Sequence, residues 1–267
     1  MRTTRQLTIE DGTIAYDDTG GEGPLLVLLP GAGDVRAEYR FLAPALAADG
    51  ARVVTMDLRG HGESSAHWPS YTMADTATDL AALLDHLDGG PAMVVATSFA
   101  PAAALWAAAD RPELFASLVL ISAHLEAAPA WQRIPLSLAL RGPLAPRLWA
   151  GQYRGWHPGA PPADLAAHAD GLAEMLRHPQ RRRAVRETLV AHRDGLEERI
   201  AGVDVPTLVV MGAADSHFKD PMAEGESIAS RTGGRLHTVA DAGHYPHVEF
   251  PEQVAVVIAE LLAETAS

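Results

Sequence analysis

Two hydrophobic periods alternate along this chain. Short runs in which nearly every position is apolar or β-branched occur at Leu25–Leu29, Arg52–Met56, Met93–Ala96, Leu118–Ile121 and Pro206–Gly212. A strand that is apolar on both sides must be covered on both faces, which predicts a mainly parallel sheet with helices packed on each side. Between these runs the apolar residues recur every three or four positions. Thr72 to Asp75 reads as the cap of a helix whose Leu80, Leu83, Leu84 and Leu87 share one face. Tyr39 to Ala48 reads as a helix interrupted by Pro44 and closed by Gly50, and Pro251-Glu252 opens a last helix bearing Val254, Val257, Ile258, Leu261 and Leu262 on one side. At the N-terminus, Leu7–Asp11 and Thr13–Tyr16 alternate and are separated by Asp11-Gly12, the signal of a hairpin. Leu236–Ala240 is the last strand.

From about Leu125 to Ile200 the strand rhythm stops and the chain reads as helices broken by prolines. The expected organisation is therefore one α/β core made of residues 1–124 and 201–267, with residues 125–200 inserted as a helical segment. A length of 267 residues at 48% hydrophobic suits one such domain and not two independent ones.

Composition then removes whole classes of chemistry. The formal net charge of −13 argues against a nucleic-acid or anionic-membrane partner, both of which need the opposite field. The absence of cysteine excludes a thiol nucleophile and thiolate metal ligands. Lys219 is the only lysine, which leaves little for Schiff-base or phosphate-loop chemistry. The first residues carry charges with no apolar run behind them, and the longest greasy stretch, Met93 to Ala109, is interrupted and short of the roughly 20 residues that span a bilayer. A cytoplasmic protein is the default expectation.

The chemistry concentrates where the third of the central strands ends. Met93-Val94-Val95-Ala96-Thr97 stops at Ser98, and an alanine-rich helical segment follows at once through Pro101. A serine on so sharp a turn is lifted clear of the sheet, toward the unpaired amides that open the next helix. The bland alternative is that Thr97 and Ser98 merely cap a buried helix. Ala96-Thr97-Ser98-Phe99-Ala100 resembles the small-x-Ser-x-small nucleophile elbow of the α/β-hydrolase family, although the usual flanking glycines are alanines here. Asp57-Leu58-Arg59-Gly60-His61-Gly62-Glu63-Ser64 closely resembles that family's Asp-x-Arg-Gly-x-Gly-x-Ser loop, in which Asp57 and Arg59 are free to pair and His61 is structural.

The resemblance implies an α/β-hydrolase fold: a doubly wound, mostly parallel sheet with helices on both faces and an inserted helical cap, here residues 125–200, over the substrate pocket. It assigns Ser98 as nucleophile, His244 as base and Asp215 as the acid, each just past a strand end and in the family's order. The loop Pro30-Gly31-Ala32-Gly33-Asp34 stands where the family carries a His-Gly-x-x loop, so Ala32 and Phe99 are the implied oxyanion donors. The same Gly31-Ala32-Gly33, with Asp57 after the next strand, could instead be a dinucleotide loop, but its third glycine is Arg36. His247, His217, Asp220 and Glu126 compete for roles near the site. Trp131, Trp149, Tyr153 and Trp156 gather the aromatics of the inserted segment and are expected to line the pocket. The implied activity is cofactor-free hydrolysis of a carboxylic ester of a small, fairly apolar molecule, with no metal; lactone opening, C–C cleavage or perhydrolysis would use the same residues. A hydrolase-like scaffold that binds a hydrophobic small molecule without turnover is the reading of a different class.

Overall fold

The computed structural model describes residues 4–127 and 130–265. Eight strands form one sheet: β1 (Thr4–Ile9), β2 (Gly12–Asp18), β3 (Leu25–Leu29), β4 (Arg52–Met56), β5 (Ala92–Thr97), β6 (Phe115–Ile121), β7 (Thr207–Gly212) and β8 (Arg235–Val239). Their order is β1-β2-β4-β3-β5-β6-β7-β8. The N-terminal hairpin pairs antiparallel with itself and with β4, and every pairing from β4 onward is parallel. The chain steps outward from β3 to β4 and then back across to β5, so the winding reverses between β3 and β5. Loops at the C-terminal ends of two such strands diverge and leave a crevice. Gly31 and Ser98 stand on its two sides.

The apolar runs behave as their pattern demands. β3 and β5 are buried at every residue, and alternate positions feed two cores. Leu25, Val27, Leu29, Val94 and Ala96 face the side covered by α2 (Met73–Leu87), α3 (Ala100–Asp110) and α9 (Pro221–Thr232). Leu26, Leu28, Met93 and Val95 face the side covered by α1 (Leu42–Ala48) and α11 (Pro251–Thr265), through Leu42, Leu46, Val254, Ile258 and Leu261. The capping box of α2 forms as expected: the Asp75 amide donates to Thr72 Oγ1 at 3.1 Å and the Thr72 amide returns to Asp75 Oδ2 at 2.8 Å.

One local expectation is corrected. The helix expected over Tyr39–Ala48 is split into a 3-10 turn at Arg36–Tyr39 and α1, which places Pro44 in a first turn where its missing N–H costs nothing; no kink results. Arg181 of the inserted segment is half-buried and its Nη1 donates to Ser64 O at 3.0 Å.

Between β6 and β7 lie α4 (Ala130–Ala139), α5 (Ala145–Gly155), α6 (Leu165–Arg177), α7 (Pro179–Val190) and α8 (Leu196–Ile200). Trp149, Tyr153, Leu172, Leu176 and Val185 make a third apolar cluster, which reaches Tyr245 and Val248 of the core. Three polar contacts fasten these helices over the β3 loop: Trp149 Nε1 donates to Gly33 O (3.1 Å), Arg40 holds Asp164 (2.7 and 2.8 Å), and His168 Nε2 lies 2.8 Å from Asp34 Oδ1. Among the described residues, no helix is long and apolar enough to cross a membrane.

Candidate active site

The turn after β5 is built as the pattern required. Ser98 has φ +61°, a left-handed conformation that is strained for any residue with a side chain and keeps the Oγ clear of the sheet. Its amide donates to Ile121 O at 2.9 Å and its carbonyl accepts from the His124 amide at 2.9 Å, so the strained residue is pinned to the end of β6. Neither Thr97 nor Ser98 caps α3: the cap position is Phe99, with no side-chain capping bond, and Thr97 Oγ1 lies 2.7 Å from Tyr39 Oη. The capping alternative is thereby set aside. Ala96 and Ala100 are wholly buried within the core cluster, where their methyls are accommodated.

Ser98, Asp215 and His244 converge although they lie far apart in sequence. His244 Nε2 is 3.0 Å from Ser98 Oγ, and His244 Nδ1 is 2.7 Å from Asp215 Oδ2. Asp215 follows β7, and His244 follows β8, where the close approach of Gly212 to the Ala242 and Gly243 carbonyls leaves no room for a side chain. Burial holds the His244 pKa below its ordinary value, with the neighbouring Asp215 carboxylate only partly offsetting it. Burial would raise Asp215, but contacts with His244 and His217 outweigh it and keep the carboxyl far below the usual carboxylate range.

Opposite the serine, Gly31 passes so close that a Cβ there would sit 3.2 Å from Ser98 Cβ. The Gly31 amide donates to Glu38 Oε2 at 2.8 Å, and Glu38 Oε1 lies 2.9 Å from His247 Nε2, both side chains wholly buried. Burial, then the nearby Asp34, pushes Glu38 well up, while burial brings His247 down to about 3. Burial thus disfavours the charged form of both members of this pair beneath the loop. The N–H groups of Ala32 and Phe99 have no acceptor among the described residues, and both residues line a cavity of about 440 Å³ that opens over Ser98 and His244.

Of the four aromatics expected in the pocket, Trp149 and Trp156 line it. Tyr153 is wholly buried behind it in the α5–α6 packing, and Trp131 is 72% exposed on the outer face of α4, so neither lines the cavity. An indole on a polar-flanked helix could not be assigned a side from sequence alone. Of the residues that competed for roles near the site, His217 comes closest: its ring centroid is 3.9 Å from that of His244, and its amide and Nδ1 both reach Asp215 Oδ1, at 2.9 and 3.1 Å. His247 belongs to the short helix α10 (Pro246–Glu249) and serves Glu38, Asp220 caps α9 through the Ala223 amide, and Glu126 is an exposed group within 4.0 Å of Arg231. Asp57 and Arg59 do not pair with each other. Asp57 takes Arg36 and the Glu63 amide, and Arg59 takes Asp79 with two 2.7 Å bonds. That arrangement also fills the carboxylate a dinucleotide would need, and the β3 loop runs into a 3-10 turn instead of opening a helix.

His124, at the end of β6, is the residue the strand-end rule could have added. Its ring stacks on Phe218 at 4.5 Å, and its donor nitrogen lies within 4.8 Å of those of His217 and His244. Three imidazoles are a donor set suited to zinc, but His244 already spends both nitrogens on Asp215 and Ser98, so an ion would have to displace the serine.

Comparison with known proteins agrees with the topology. The profile of the α/β hydrolase fold matches residues 24–251. A solved hydrolase from Pseudomonas aeruginosa PA01 superposes with a TM-score of 0.82 at 30% identity, covering 97% of this chain and 98% of that one. The polyketide synthase ThaQ of Burkholderia thailandensis is 30% identical across 98% of this chain, and the dihydrolipoyllysine-residue acetyltransferase component of the acetoin cleaving system of Pseudomonas putida is 32% identical across 90%. The chain spans 13% and 64% of the length of those two proteins. A sheet that reverses its winding at the serine turn, a family match over most of the chain and a full-length structural relative together lead to one assignment: this chain belongs to the α/β hydrolase fold family.

Proposed function

We propose that the protein is a serine hydrolase that cleaves a carboxylic ester through an acyl-enzyme. The observation that carries this reading is the position of His244, whose two nitrogens reach Ser98 Oγ and Asp215 Oδ2 at once. In the proposed cycle, His244 takes the Ser98 proton as the oxygen attacks the carbonyl carbon. The carbonyl electrons move to an oxyanion held by the Ala32 and Phe99 amides, and the tetrahedral species collapses as His244 returns the proton to the departing alcohol. Water, deprotonated by the same imidazole, then releases the acid. Asp215 fixes the tautomer and stabilises the imidazolium. Each amide donor is worth roughly 10²–10³ in rate and the base roughly 10²–10⁴. Residues 125–200 act in this reading as the cap that closes the cavity over Ser98, and the substrate is a small molecule.

A serine-directed fluorophosphonate should label Ser98, and His244→Ala should abolish the labelling. Turnover of short p-nitrophenyl esters should accompany it and vanish in Ser98→Ala. Failure of both in a folded protein would leave a binding scaffold as the better description.

A further inference from the structure

Apart from the Tyr245 phenol, five charged or titratable side chains face the cavity: Glu126, His124, Arg193, His217 and His244. Arg193 stands out among them by what it lacks. It lies between α7 and α8, its guanidinium carbon is 4.7 Å from the centre of the Phe99 ring, and its one acceptor among the described residues is Ala191 O at a long 3.4 Å. Its Nε is buried with no hydrogen-bond partner, and no carboxylate lies within 4.0 Å of the guanidinium among the described residues. Arg36, Arg40, Arg52 and Arg59 all pair with carboxylates. In a chain with 34 acidic and 21 basic residues, a solitary arginine is not explained by a shortage of acids.

The physical cost points the same way. Burial alone pushes the Arg193 pKa down to about 10, which leaves it charged at neutral pH and uncompensated. Glu126, the acid on the cavity wall, does not answer it, being 84% exposed and turned toward Arg231. The three histidines add no negative charge, and burial together with the mutual proximity of these rings keeps His124 well below its usual pKa. A half-desolvated guanidinium with its planar fork unspent is matched by a carboxylate, which can accept two parallel bonds from it. Phe99 sets the distance: its ring carries the guanidinium while its amide faces the reacting carbonyl in the function proposed above.

We infer that Arg193 is the anion-recognition residue of this cavity and that the substrate is an ester bearing a carboxylate, held by Arg193 while its carbonyl sits at Ser98. This rests on the serine-hydrolase reading and replaces the fairly apolar substrate implied by the family resemblance with a monoanionic one.

The test compares 4-nitrophenyl monoesters of C5 to C8 dicarboxylic acids with 4-nitrophenyl esters of monocarboxylic acids of the same length, and acyl esters of 4-hydroxybenzoate with those of phenol, so that the charge is carried on the acyl or the alcohol side. The wild type should favour one charged series in kcat/KM by at least tenfold. Arg193→Gln should cut the charged-to-neutral ratio ten- to a hundredfold, the span expected for a lost charge-assisted hydrogen bond, and Arg193→Lys should restore part of it. Melting curves of both variants confirm folding. Calorimetric binding of the monomethyl esters of the same diacids to Ser98→Ala, with and without Arg193→Gln, reads recognition independently of turnover. Equal turnover of charged and neutral esters, or a ratio unchanged in Arg193→Gln, overturns the inference and leaves the hydrolase intact. Arg193-dependent binding with no turnover of any ester does the reverse.

Discussion

Replacing Ala96 and Ala100 together by glycine asks whether the two methyls beside the serine turn are tolerated or needed. Both are wholly buried in the core that α2 and α3 share with the sheet. Removing each buried methyl forfeits about 0.8 kcal/mol of transfer free energy. Glycine adds a backbone entropy cost of about 0.5–1 kcal/mol at each site. The double variant should therefore lose about 3 kcal/mol. Unfolding entropy near 2.1 cal/mol/K per residue gives about 0.56 kcal/mol/K for a chain of 267 residues, so the melting temperature should fall by about 5 °C in a calorimetric scan. Activity on a short p-nitrophenyl ester should stay within about twofold, because the 3.0 Å approach of His244 to Ser98 is set by the β5 turn and the β8 loop. An unchanged melting temperature with a tenfold gain in kcat/KM would refute this reasoning and show that the methyls distort the turn.

Other expectations follow from the same geometry. Ser98→Gly and Ser98→Ala should both be inactive, but the glycine variant should melt about 1–2 °C higher, because φ +61° strains alanine and not glycine; the opposite order would contradict the strain. His244 acts only when neutral and its pKa is depressed, chiefly by burial, so kcat/KM should fall with acid through an inflection below 6.5; an inflection at or above 6.5 would contradict the burial argument. His61 and His247, which burial brings to about 4 and about 3, bind protons more readily in the unfolded chain, so stability is lost as pH falls from 6.5 toward those values. Each should cost about 2 kcal/mol by pH 5, seen as a lower urea midpoint than at pH 7, and an unchanged midpoint would exclude neutral burial. In Gly33→Ala the new Cβ would meet Trp149 Cζ2 at 2.1 Å from a residue at φ +85°, so about 2 kcal/mol of stability and at least tenfold in kcat/KM should be lost; wild-type kinetics would show that the loop yields.

What could be read from sequence was whatever local pattern determines. Runs apolar on both faces, such as Leu25–Leu29, require a covered parallel sheet, and a serine between a buried strand and an alanine-rich helix requires a sharp turn. The pairings of Asp57 with Arg36 and of Arg59 with Asp79 were not legible, because residues two apart on a tight loop can point to different neighbours. The nearness of His217 to His244 depends on a short turn folding back after β7, which spacing alone does not specify. Glu38 and His247 are separated by most of the chain, and no periodic signal links a buried acid to its distant partner. Arg193 is invisible for a related reason: its meaning lies in the carboxylate it does not have.

The bond from Trp149 to the Gly33 carbonyl hangs the helices above the cavity directly from the loop that presents the Ala32 amide. Any outward swing of α5 wide enough to admit a molecule must pull on that loop or break that bond. On the proposed mechanism, the enzyme would therefore be least able to polarise a carbonyl while its roof is raised, and ester cleavage would begin only after the indole is seated again. Admission and reactivity would then be two readings of a single mechanical linkage.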